Sequence, residues 1–178
     1  MGRPKQTLAY RGSTLTGIIV RSLLEVDVAG VVVVTRTEFM ATLDLPSDPR
    51  VRTVVNDDGD SEMIDSIRIG LATVARFPAV DVDGVLVVPG DMPMLHANTV
   101  RNCIAAYRDD PDRIVVACHE GKRGHPMIFP FALRTVIENL SDGLRMLLQQ
   151  LPDRVREVVV ADSGVILDVD TPEDYQQL

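Results

Sequence analysis

The stretch Val85-Leu86-Val87-Val88-Pro89-Gly90-Asp91-Met92-Pro93 constrains this chain more than any other. Its leading residues are apolar on both alternating faces. A strand formed there needs cover above and below, which is the pattern of a parallel sheet held between helices. Pro89 and Gly90 stop the ladder, and Pro93 keeps Met92 out of a helix, so Asp91 stands on a stiff corner at the strand's carboxyl end. Ligands of such sheets bind just beyond those ends. An acid placed there is a candidate ligand for a hard cation and, through it, for phosphate oxygens. It is equally a candidate turn aspartate that bonds only locally.

The rest of the chain supplies the helices and strands that such a sheet needs. Leu15, Ile18, Ile19, Leu23 and Val26 follow the helical period, with Ser13 or Thr14 as the cap. A valine-rich strand runs over 29–35, a short helix over 38–45 stops before Pro46, and a further strand covers 51–55. Ile64, Ile67, Leu71 and Val74 mark a helix that Pro78 ends. After the strand into Asp91 come a helix over 98–107 and a strand over 113–118. Repetition of this kind predicts one three-layer α/β domain, 1–178, with a mostly parallel, mixed sheet.

The final third is less regular. Residues 121–130 carry two glycines and two prolines and read as a loop followed by a brief strand or turn. Leu144, Leu147, Leu148 and Leu151 form an amphipathic helix that Asp142 can cap. Strands are expected over 155–160 and 165–167. The second of these runs straight into Asp168-Val169-Asp170, with Thr171 capping a last helix that has Pro172 at its first position. A second acidic corner at a strand end makes a metal site shared with Asp91 a candidate. The competing reading is that Asp170 or Thr171 only caps the helix.

Charge and cysteine content exclude several classes. The net charge of −8 leaves no basic surface for a nucleic-acid backbone, although a small anionic ligand can still be held by a metal or a few basic groups. Two cysteines, Cys103 and Cys118, make neither a disulfide framework nor a zinc spacing, and both sit where small core residues belong. No apolar run is long enough to span a bilayer, and the start of the chain is no signal peptide. The expectation is a cytoplasmic protein with neither nucleic acid nor membrane as partner.

Five segments, in order, resemble the motifs of one family. Met1-Gly2-Arg3-Pro4-Lys5 matches the end of an opening loop L-x-A-G-x-S-x-R-M-G-x-P-K. Asn56 through Ser66-Ile67-Arg68-Ile69-Gly70-Leu71 matches S-L-R-x-G-L. Gly90-Asp91-Met92-Pro93-Met94-Leu95 is similar to G-D-Q-P-L-L, and Gly124-His125-Pro126-Met127-Ile128-Phe129 to G-H-P-V-L-F. Asp168-Val169-Asp170-Thr171-Pro172-Glu173-Asp174 is nearly D-I-D-T-P-E-D. The chain thus resembles the MobA-like nucleotidyltransferases, and among them the MocA-type molybdenum cofactor cytidylyltransferases.

The resemblance implies a Rossmann-like, glycosyltransferase-A-like fold and a site over the strand ends. Gly2, Arg3, Lys5, Asn56, Ser66, Gly70 and Asp91 would bind a nucleoside triphosphate, CTP in preference to GTP. Lys5 would act on the triphosphate as a point charge, and Asp91 with Asp168 or Asp170 would hold Mg²⁺. His125 would touch a phosphorylated acceptor, molybdopterin, and the molybdoenzyme that receives the cofactor, or its chaperone, would be a protein partner. Transfer in line at the α-phosphorus needs positioning and charge stabilisation but no protein nucleophile. Lys5 and Asp91 are therefore the candidate catalytic residues.

Two departures from the family pattern matter. Gly59 and Glu62 stand where the family often has tryptophan and glycine. The family's first strand and glycine-rich phosphate loop would precede Met1, and a sheet without that strand would have an unfilled lane beside Val85–Val88. The expectation is that the natural protein carries about 10 to 25 further residues there. Guanylyl transfer, another phosphorylated acceptor, and a nucleotide-binding module that has lost catalysis are the alternatives. A flavodoxin-like receiver domain fits the α/β pattern alone and leaves the acidic corners unexplained.

Overall fold

The computed structural model describes residues 5–77, 81–176 and 178. A helical turn at Lys5–Thr7 precedes a small antiparallel hairpin of β1 (Ala9–Tyr10) and β2 (Ser13–Thr14). Then come α1 (Leu15–Leu24), β3 (Val31–Thr35), α2 (Thr37–Met40), β4 (Val51–Val55), α3 (Met63–Val74) and β5 (Gly84–Val87). They are followed by α4 (Ala97–Asp109), β6 (Ile114–His119), β7 (Lys122–Pro130), α5 (Arg134–Ile137), α6 (Gly143–Gln150), β8 (Val155–Val159) and α7 (Pro172–Gln176). Thr14 is the cap of α1, its hydroxyl accepting from the Gly17 N–H at 3.1 Å.

The fold is the three-layer α/β sandwich with a mixed sheet. β3 and β4 pair in parallel, and β5, β7, β6 and β8 form a four-stranded sheet in that order. Within it β6 and β8 are parallel, while β7 runs antiparallel to both its neighbours. β6 has its first five residues buried, because its alternating side chains enter two cores. Ile114 and Val116 meet Phe129, Ile137 and Leu147 on the α3, α5 and α6 side. Val115 and Ala117 meet Val100, Cys103 and Tyr107 of α4 on the other.

Three sequence readings need correction. Residues 122–130 are a nine-residue strand and not a loop, since the Glu120-Gly121 turn, with Gly121 at φ 76°, folds β7 back onto β6. Backbone pairing overrides the breaker composition there. The segment at 165–167 is no strand, because Ser163–Val165 winds into a 3₁₀ turn that Asp162 caps by accepting from the Gly164 N–H at 2.9 Å. The short helix expected over 38–45 ends at Met40. Asp142 stands at the N-cap of α6 without a side-chain bond, and Pro78 lies outside the described residues.

β5 is partly exposed along its whole length, and the reason lies beside it. β4 leaves one edge of β3 free, β7 leaves one edge of β5 free, and both edges border a single cleft of about 780 Å³. Consecutive residues of each strand, including Val31 and Val32 on one side and Val85 to Val87 on the other, line it. Side chains of consecutive strand residues point to opposite faces, so the cleft runs along strand edges and not across a face. Leu23, Ile104 and Tyr107 close it on the α1 and α4 side, and Ile67, Gly70 and Leu71 of α3 on the other. Among the described residues, the helices cover a place in the sheet that no strand fills.

Candidate active site

Asp91 sits at the carboxyl end of β5 on a corner clamped from two directions. The Thr16 hydroxyl donates to the carbonyl of Gly90 at 3.0 Å, and the backbone N–H of Val169 donates to the carbonyl of Asp91 at 3.0 Å. Met92 and Leu95 anchor the following turn in the core. Val169 is itself buried, so the aspartates on either side of it turn outward. Asp170 is fixed further by the cap of α7, where Asp174 accepts from the N–H groups of Asp170 and Thr171 while Thr171 accepts from that of Asp174. Thr171 therefore does cap the helix, and the Asp170 carboxylate is left for another partner.

That partner is Lys5. Its ammonium pairs directly with Asp170 and lies 4.0 Å from the Asp91 carboxylate. Asp168 acts on the same charges from nearby, without an ion pair to Lys5. Hydrogen bonding to Asp170 holds the Lys5 ammonium above its ordinary value, against the opposing effect of burial. Burial pushes the Asp91 carboxyl up; Lys5 opposes that shift, and Asp168 and Asp170 add to it. No group of three or more acidic, histidine or cysteine side chains is arranged around one point among the described residues. Two hard oxygen donors at the mouth of an open cleft suit a cation such as Mg²⁺, which keeps waters and takes further oxygens from a bound phosphate. Asp91 and Asp170 are the residues that would hold it.

Asn56 and Ser66 meet across the cleft from Asp91, at the carboxyl end of β3. Asn56 is buried, and its side-chain amide donates to the hydroxyls of Ser61 and Ser66, each at 3.1 Å. Its backbone N–H bonds the carbonyl of Thr35, tying the loop after β4 to the end of β3. These residues line a polar recess of about 180 Å³, which shares Val34, Phe39, Met63 and Ser66 with the larger cleft. Lys5, Ser66, Gly70 and Asp91 thus line one continuous opening. Gly70 faces Val34 from α3.

His125 is set below the acidic corner. Its Nδ1 lies 3.3 Å from the carbonyl of Val87, the last residue of β5, in position to donate to it. Burial pushes its pKa down, with the Val87 bond and the Asp168 charge opposing, so the neutral ring is favoured. Gly124 before it is required by packing, because a Cβ there would stand 1.9 Å from the carbonyl oxygen of Val165. Gly2 and Arg3 lie outside the described residues. Both cysteines are buried core residues, and burial pushes the Cys103 thiol up to about 12.

Sequence reasoning missed Thr16 and the Val169 N–H, which together hold Asp91 in place. A threonine just inside a helix start was the one available signal. It also missed Arg36 and Phe39, which line the polar recess just after β3.

A cleft whose mouth carries paired acids and a lysine on one side and a polar recess on the other has the layout of a nucleotide-binding site. The chain belongs to the MobA-like NTP transferase family, whose domain profile matches residues 1–155. It is 27% identical to Rv0371c from Mycobacterium tuberculosis H37Rv, with a TM-score of 0.83 over 99% of this chain and 89% of that one. A manganese complex of Rv0371c aligns with a TM-score of 0.79 over 98% of this chain and 90% of that one, again at 27% identity. The purine catabolism protein PucB of Bacillus subtilis is 25% identical over 100% of this chain and 89% of its own length. No helix among the described residues is long and apolar enough to cross a membrane.

Proposed function

We propose that this nucleotidyltransferase moves CMP from CTP to the terminal phosphate of molybdopterin. The acceptor phosphate oxygen bonds to the α-phosphorus, the bond from that phosphorus to the bridging oxygen breaks, and pyrophosphate leaves with the electron pair. Mg²⁺, when bound, would supply positive charge to the triphosphate oxygens. Asp91 and Asp170 would hold it, Lys5 would add its own charge to the phosphates, and the recess at Asn56 and Ser66 would receive the base. His125, neutral and braced on Val87, would contact the acceptor.

The observation that carries this reading is the meeting of Asp91, Asp170 and Lys5 at the mouth of a cleft that continues to Ser66. CTP is preferred over GTP on the strength of Pro4 in the opening motif and Gly124-His125-Pro126. Manganese in the Rv0371c complex supports a divalent cation. The test is pyrophosphate release on mixing with molybdopterin and either MgCTP or MgGTP. Release with CTP in excess of GTP is expected, and no release with either nucleotide would overturn the reading.

A further inference from the structure

The position of Lys5 has an implication for how the cation enters. Asp91 and Asp170 are fixed toward each other by backbone, through the Val169 N–H on the Asp91 carbonyl and through the capped turn that locks Asp170. Asp91 has only 24% of its side chain exposed, so water screens it poorly. Two carboxylates held this way repel unless a positive charge lies between them. Among the described residues, Lys5 is the cation that forms an ion pair with either acid, and it reaches both.

Resting on the reading above, we propose that Lys5 is an internal counter-ion occupying the divalent-cation position while the cleft holds no nucleotide. A triphosphate draws the ammonium away, and the acids then take up the metal together with the nucleotide. A lysine suits this exchange because its charge is compact and its four-carbon stem swings freely. Metal and nucleotide then bind with positive coupling, and the coupling is reciprocal. Free metal by itself must compete with a tethered ammonium.

The experiment is Mn²⁺ titration of the nucleotide-free protein, followed by the loss of the free-ion electron paramagnetic resonance signal. Lys5→Met is expected to bind Mn²⁺ on the order of tenfold more tightly than the wild type, the size of an ordinary coupling between two sites. Lys5→Arg, which keeps the charge, should bind as weakly as the wild type. Adding Asp170→Asn to Lys5→Met should abolish the gain, and circular dichroism melts establish that each variant is folded. In the wild type, CTP should raise Mn²⁺ affinity, and in Lys5→Met that increase should shrink. Lys5→Met binding Mn²⁺ no more tightly than the wild type overturns the proposal while leaving the acids as metal ligands. Absence of Mn²⁺ binding in every variant, with CTP and without it, overturns the metal reading as well.

Discussion

The backbone N–H of Val169 donates to the carbonyl of Asp91 at 3.0 Å, and this one bond joins the acid after β5 to a segment from the far end of the chain. Because Val169 is buried, its neighbours cannot rotate away from the cleft without dragging an apolar side chain into water. Asp170 is thereby presented beside Asp91, and Lys5 lies against both.

Replacing Asp91 by Asn should remove cation-dependent turnover and leave the fold intact. The change keeps the side chain's shape, so stability should move by about 1 kcal/mol or less, which for a chain of this length is roughly 2–4 °C in Tm. Asp170→Asn should lose turnover in the same way. Activity assays paired with thermal melts check both, and near-normal turnover in Asp91→Asn would remove that residue from the metal site.

His125 should make the protein sensitive to mild acid. Its folded pKa lies below the ordinary 6.5, so the native state refuses a proton that the unfolded chain accepts. The stability it contributes is therefore fully present above 6.5 and is lost as pH falls from there through the lowered folded value. Urea unfolding of the wild type and His125→Gln across this window should give the variant a flatter profile. Parallel profiles would place the acid sensitivity elsewhere.

Gly124→Ala should be among the most damaging single-methyl additions in the chain. The new Cβ meets the backbone carbonyl of Val165 at 1.9 Å, and backbone cannot rotate aside as a side chain can. A loss of about 1–3 kcal/mol or more is expected from overpacking, read as a lower urea midpoint with an unchanged slope. The nearby Gly121→Ala meets no atom within 4 Å, and its cost arises from its φ of 76° alone.

Gly70→Leu tests the lane. Gly70 lines the cleft from α3, where a Cβ would make an ordinary 3.5 Å contact with Val34. In the 178-residue chain the larger side chain should enter the cleft and add helix propensity, stabilising by roughly 1 kcal/mol. It should also lower binding of an apolar dye such as anilinonaphthalene sulfonate. A Gly70→Leu protein with an unchanged or lower Tm and undiminished dye binding would mean that the cleft is not open beside α3.

Much of this was legible in the sequence because periodicity and turn chemistry are local. The helical stripe through Leu15 and Ile19, the valine strand into Thr35 and the corner at Asp91 each follow from a few adjacent residues. The Asp168 to Asp174 run announced a helix start, and it forms one. β7 was misread because its partners are distant: Val85 pairs with Phe129 and Val116 with Met127, and those pairings outweigh the glycines and prolines in its own composition. The turn at 163–165 was misread for a related reason, since Gly164 packs its backbone against Met94 where no side chain would fit. At the site, the residue types could be read in advance, but the clamp of Thr16 on Gly90 depends on tertiary placement alone.

The cleft between β3 and β5 also interrupts the mechanical continuity of the sheet. A sheet resists shear because every strand is tied to the next by a ladder of backbone bonds, and across this gap the described residues provide none. The recess with Asn56 rides on the two-stranded part, while Asp91 and His125 ride on the four-stranded part. Helix α3 bridges them, packing Gly70 on Val34 and Ile64 and Leu71 into the core of the larger part. The two sides of the site are thus joined through side chains, which yield more readily than a ladder.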